Sequence, residues 1–151
     1  MNIILATDGT KYGEAAADML CRFNLKAGDE VKVLCVVDVA MPLAMDIYGG
    51  YLPDTNELEK AARENALRVV EVTVGKLREC FGGDVALSSD VLFGSPDGRI
   101  VETAEETGAD LIIIGSHGYK RWERLLLGSV SDSVVHHAPC SVLVVRSGVT
   151  A

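Results

Sequence analysis

The chain has 151 residues, 48% of them hydrophobic, which suits one domain, residues 1–151, with a sizeable core. Only 5% are aromatic, so that core is expected to be aliphatic, and the formal net charge of −8 argues against general nucleic-acid binding, which relies on Lys and Arg to displace counterions. No stretch approaches the ~20 apolar residues of a membrane span, and MNIILATDG has neither the basic start nor the length of a signal peptide.

Ile3 to Ala6 is a short continuous apolar run that ends at Thr7-Asp8-Gly9, as a buried parallel strand does. A helical pattern follows, with Ala16, Leu20 and Phe23 on one face, stopping near Ala27-Gly28. Val31 to Val37 reads as the second strand. Residues 39–54 show no period and carry two prolines and a Gly-Gly, so they form a long connection, either a functional lid or disordered. Asp54 and Glu57 have the spacing of a capping box. The helix after them carries Leu58, Ala62, Ala66, Val70 or Val69, Thr73 and Leu77 along one stripe and ends before Gly82-Gly83.

Val85 to Phe93 reads as the third strand. Ser95 is placed to cap a helix with Pro96 at its first position, and Gly108 closes that helix. Ala109 to Ile114 is the fourth strand, a short helix covers about Ser129 to His137, and Cys140 to Val145 is the fifth strand. Five alternations of strand and helix predict an α/β fold: an open parallel five-stranded sheet with helices on both faces. Ligands in such sheets sit beyond the strands' C-terminal ends, where the strand order reverses. If the order is 3-2-1-4-5, the reversal lies between strands one and four, at the loops Thr7-Asp8-Gly9 and Gly115-Ser116-His117-Gly118.

The second of these loops carries the most specific pattern in the chain. Gly115, Gly118 and Gly128-Ser129 give G-x2-G-x9-G-S after a buried strand. Glycines let a ligand approach the main chain. A helix starting near Ser129 offers unpaired N–H groups and partial positive charge, with the Ser129 and Ser131 hydroxyls beside them, which suits phosphate. Neither G-x-x-x-x-G-K-[ST] nor G-x-G-x-x-G after the first strand is present. Asp8 reads two ways, as a ligand contact or as a cap of the first helix. His117, between two motif glycines, faces ligand or bonds backbone. Lys120, Arg121 and Arg124 either neutralise phosphates or form a solvated patch, and Trp122 either covers the site or packs on a partner.

Cys21, Cys35, Cys80 and Cys140 are widely spaced without C-x-x-C, so reduced, buried thiols and a cytoplasmic location are expected. His136-His137 with Cys140 gives at most three ligands, short of a zinc pattern. No phosphate-loop Lys, water-orienting residue or catalytic base can be named, so no catalytic residue is assigned and at most weak hydrolysis of a phosphate ligand is expected. The apolar fifth strand would lie at the sheet edge, where pairing with a second copy would cover it.

These features together resemble the universal stress protein family over nearly the whole chain, and in particular its nucleotide-binding branch. The resemblance rests on Asp8 in ATDGT, Val36-Val37-Asp38, Gly94-Ser95-Pro96, the full Gly115, Gly118, Gly128, Ser129 spacing, and the P-C-x-V-L-V-V ending. It implies a Rossmann-like fold of the adenine nucleotide alpha hydrolase kind, with order 3-2-1-4-5, binding ATP with Mg2+ or Mn2+ held through the phosphates, in a homodimer built through the fifth strand. Carried over by position, Thr7, Asp8 and Val36 would line the adenine side. Gly115, His117 and Gly118 would wrap the ribose and phosphates, and Gly128, Ser129, Val130 and Ser131 would donate to the phosphates. Cys35 departs from the His common among relatives. The expected role is a nucleotide-dependent regulatory or stress-response module. The alternatives are a dimeric protein-interaction adaptor, in which nucleotide is incidental, and a slow ATPase.

Overall fold

A computed structural model describes residues 1–38, 55–117 and 127–147. Strands β1 (Asn2–Ala6), β2 (Glu30–Val37), β3 (Ala86–Phe93), β4 (Leu111–Gly115) and β5 (Ser141–Val145) form one sheet in the order β3-β2-β1-β4-β5. All four pairings are parallel. β1 is the central strand: Ala6 stands opposite Leu34 of β2 on one side and Ile114 of β4 on the other.

The continuous apolar runs are explained by burial on both faces. Successive side chains of a strand point to opposite sides, so Ile3 and Leu5 enter one core while Ile4 and Ala6 enter the other. The first core is covered by α1 (Lys11–Leu20) and α2 (Thr55–Phe81), through Ala16, Ala17 and Leu20 and through Ala66, Val70 and Leu77. The second is covered by α3 (Pro96–Thr107) and α4 (Ser129–His137), through Ile100, Ala104 and Val134. The cores are aliphatic, as the composition required.

Several helix ends differ from the sequence expectation. α1 stops at Leu20, about two turns before the expected stop near Ala27-Gly28, and Phe23 packs on the first core from the segment that follows. Leu58 is 38% exposed, and α2 buries nothing before Ala66 among its described residues. The reason is the helix's length. Arg63 stacks on the ring of Phe93, the last residue of β3, at 4.8 Å, so the preceding turns project beyond the strand ends. Ser95 is the N-cap of α3, but its hydroxyl donates to the Asp97 carboxylate rather than accepting from a backbone N–H. Ser133 of α4 donates to the other oxygen of Asp97 at 2.7 Å. These two hydroxyls hold the Asp97 carboxyl below its ordinary pKa and tie α3 to α4. Gly108 closes α3 in the left-handed region, as expected. Asp54 and the 39–54 connection lie outside the described residues.

The expectation of reduced thiols is overturned for two of the four cysteines. Cys21 and Cys80 form a disulfide with their Cα atoms 5.5 Å apart, while Cys35 and Cys140 are free. The partners are 59 residues apart in sequence, and they meet because α1 and α2 lie side by side and end together. Closing a loop of that length removes enough unfolded-chain entropy to contribute about 4 kcal/mol. Reduction should therefore lower the unfolding free energy by about 4 kcal/mol in urea titrations. A Cys21→Ser, Cys80→Ser variant should match the reduced protein and ignore reductant. A reduced protein as stable as the oxidised one would refute this.

Candidate functional site

The reversal of strand order falls between β1 and β4, and the two loops singled out by sequence leave the sheet there. The register puts Thr7 beside Gly115 on one side and near Cys35 and Val36 on the other. Thr7 continues the ladder by donating its N–H to Leu34 O at 2.9 Å. Its hydroxyl oxygen accepts from Gly9 N at 3.3 Å. Asp8 Oδ1 accepts from both the N–H and the hydroxyl of Thr10, at 3.0 and 2.6 Å. Of the two readings of Asp8, the helix cap is not observed. Thr10 is the N-cap of α1, and Asp8 shapes the turn before it. Val36 is half-buried and packs on the second core.

Beyond β4, Ser116 is 1% exposed and organises the glycine loop. It donates its N–H to Val145 O at 2.8 Å. Its carbonyl accepts from Gly128 N at 2.7 Å and from the Ser131 hydroxyl at 3.0 Å. The two ends of the G-x2-G-x9-G-S motif are thus clamped on one carbonyl. A Cβ at Gly128 would lie 3.1 Å from that oxygen and 3.2 Å from His117 Cα, so a side chain there would press the two ends apart. His117 shares a 3.0 Å hydrogen bond between its Nδ1 and Ser116 Oγ, and its ring centroid is 5.3 Å from that of Tyr12. Gly118, Lys120, Arg121, Trp122 and Arg124 lie outside the described residues.

α4 begins at Ser129, with Gly128 as an extended N-cap that offers no side chain to its first turn. The first N–H groups of a helix have no intrahelical acceptor and carry the positive end of its dipole. Ser129 is exposed and Val130 half-buried, so this end opens to solvent beside the crevice. Ser131 contributes differently from the sequence expectation. Its hydroxyl donates to Ser116 O and Gly128 O, both at 3.0 Å, so it braces the loop and leaves the main-chain N–H as its donor.

The remaining reactive groups are quiet. Burial, with the nearby charge of Asp8 second, pushes the Cys35 thiol up to about 11, so it is protonated at neutral pH. Burial also raises Cys140. His136 and His137 donate Nδ1–H to the carbonyls of Asp132 and Ser133, one turn back in α4, both at 2.8 Å. Among the described residues no group of three His, Cys, Asp or Glu could hold a metal ion.

Sequence reasoning placed Ser116 in the site loop without giving it a role, and passed over Tyr12 and Gly13. A Cβ on Gly13 would lie 2.5 Å from Thr7 Oγ1, and one on Gly115 would lie 2.7 Å from the Tyr12 carbonyl oxygen. A glycine inside the α1 pattern was the available signal, because it costs helix stability unless something packs against it.

The structure is a parallel α/β sheet with a clamped glycine loop at its switch point, the place where ligands bind in open sheets of this kind. The profile of the Universal stress protein family matches residues 1–146, and the chain belongs to that family. It is 35% identical over 144 residues to universal stress protein MJ0531 of Methanocaldococcus jannaschii, covering 95% of this chain and 81% of that protein. Among solved structures it is similar to hypothetical protein MJ0577, with 29% identity, a TM-score of 0.83, and coverage of 99% of this chain and 97% of that one. A universal stress protein family member from Arabidopsis thaliana, solved with AMP bound, shares the fold at 16% identity with a TM-score of 0.67, covering 99% of this chain and 93% of that one.

The packing at Gly115 yields a direct test. The atom facing it is a backbone oxygen and cannot rotate away, so Gly115→Ala should destabilise the protein by about 2–3 kcal/mol. Gly75→Ala, in open space on α2, should instead stabilise it by about 0.5–1 kcal/mol. Urea unfolding of both variants checks the pair, and equal effects would contradict the packing.

Proposed function

We propose that this universal stress protein binds ATP at the β1–β4 crevice and acts as a nucleotide-dependent regulatory or stress-response module. The observation that carries this is the Ser116 carbonyl, which holds both ends of the glycine motif against the uncapped start of α4. The donors gathered there suit an anion, and they are local, as a chain of net charge −8 requires. In this reading Thr7, Asp8 and Val36 line the adenine side. Gly115, His117 and Gly118 wrap the ribose and phosphates. Gly128, Ser129, Val130 and Ser131 face the phosphates, the last through its N–H. Mg2+ or Mn2+ would be held by phosphate oxygens and water, and when bound would offset phosphate charge. The AMP in the Arabidopsis relative's structure supports an adenine nucleotide as the ligand class.

The reading extends to one universal stress protein domain over residues 1–151, placed in the cytoplasm, with slow hydrolysis or none. No helix among the described residues is long and apolar enough to cross a membrane. A homodimer through β5 is part of the proposal. Among the described residues this strand pairs only with β4 and carries half-buried Val142, Leu143 and Val144. That edge also favours the second reading, a dimeric adaptor in which nucleotide is incidental.

Calorimetry with ATP, with and without magnesium, separates the two. The wild type should bind with magnesium, and Gly128→Val, provided it still folds, should weaken binding at least about tenfold, the loss expected when a loop's donors are displaced. A nucleotide-free wild type that binds no ATP would leave the adaptor. The same samples should sediment as dimers at micromolar concentration, and monomers would remove the β5 interface.

A further inference from the structure

We propose that Cys21–Cys80 is a thiol-exchange site whose state sets the order of the β1–α1 loop at residues 7–10. The inference starts from how α2 is fastened to α1. Three ties run along the pair. At one end Val69 packs directly on Gly9, where an added Cβ would lie 2.7 Å from Val69 Cγ2. Next, Lys76 pairs with Asp18. At the other end stands the disulfide. Positions 69, 76 and 80 recur at seven and four residues, so they lie on one face of α2. The first tie touches the loop that carries Asp8, and the last is the only one that chemistry can open and close.

The ion pair in the middle is weak, since both partners are solvent-exposed, with 38% and 58% of their side-chain surface accessible. Beyond the shared core of Ala66, Val70 and Leu77, the covalent tie is therefore the strongest link between the two helices. Gly9 sits at φ 77 and has no side chain of its own to anchor it. Val69 supplies that anchor while α2 is held down.

Exchange is accessible from one side. Cys80 is exposed and Cys21 half-buried. The thiolate of a dithiol reductant attacks the Cys80 sulfur, the S–S bond breaks, and Cys21 leaves as a thiolate and takes up a proton. The reductant's second thiol, as its thiolate, then attacks its own sulfur in the mixed disulfide. Cys80 is released and protonated, and the dithiol ends as a disulfide. Two electrons and two protons pass to the protein. A disulfide oxidant reverses the sequence.

The test is amide hydrogen exchange on the folded protein, oxidised and then reduced with dithiothreitol. Exchange at Gly9 and Thr10 should rise about tenfold on reduction, as a local opening becomes easier, while β1 and β4 remain far slower and exchange only through global unfolding. Val69→Ala should show the faster loop in both states, because it removes the contact that transmits the change. A Cys80→Ser variant should resemble the reduced protein, and reduced wild type gives the same reading should that variant not fold. Faster exchange confined to the turns around Cys21 and Cys80 would overturn the proposal and leave the bond a local staple. A rise at Gly9 and Thr10 that appears only once the strands exchange as fast would also overturn it, because lost global stability alone would then account for the change.

The consequence for ligand rests on the nucleotide reading and is measured separately, as ATP affinity in the two states. Weaker binding on reduction extends the proposal to control of the site. ATP binding in neither state would count against the nucleotide reading, and the exchange result would still decide the clamp.

Discussion

The carbonyl oxygen of Tyr12 occupies the space where a side chain at position 115 would begin. That contact sets how closely the start of α1 lies against the end of β4, and much of the site's geometry depends on it. Gly13 repeats the device one residue later against Thr7. The two glycines let α1 cross the β1–β4 junction without a spacer. The loops after β1 and β4 then face one crevice. β1 is buried on both faces and paired on both edges, so the crevice rests on a rigid part of the molecule.

The electrostatics of the crevice follow from the same packing. The chain is acidic, yet the positions around the glycine loop offer main-chain N–H groups and the positive end of α4. Asp8 is the carboxylate in the loop after β1, and Thr10 donates to it twice. Burial beside it keeps Cys35 as a thiol. A second negative charge is therefore absent from a place where it would oppose an anionic ligand. The Ser131 hydroxyl turns inward to two carbonyls, which fixes the loop while leaving amides to face outward.

Much of the fold was legible in the sequence because it is encoded locally. Runs such as Ile3 to Ala6 and Leu111 to Ile114 declare strands buried on both faces. The alternation with helices declares parallel pairing, and the glycine spacing marks the loop. What was not legible depends on contacts that no sequence motif marks. Cys21 and Cys80 meet only once α1 and α2 are side by side, and their 59-residue separation carries no motif. Ser95 had the right position for a cap, but Asp97 two residues on offered its hydroxyl a charged acceptor. The Ser131 hydroxyl read as one beside the phosphates, and the carbonyls of Ser116 and Gly128 take it instead. The stripe on α2 extended to Leu58 on paper, and the sheet ends before the helix does.

The central claim is that an adenine nucleotide sits between the ends of β1 and β4. Amide chemical-shift mapping of the isotope-labelled protein, titrated with ATP and magnesium, addresses it residue by residue. The account predicts the largest changes at Thr7 to Gly9, Val36, Gly115 to His117, and Gly128 to Ser131. Changes centred instead on the cleft formed by Asn56, Lys60, Arg63 and Phe93 would contradict it.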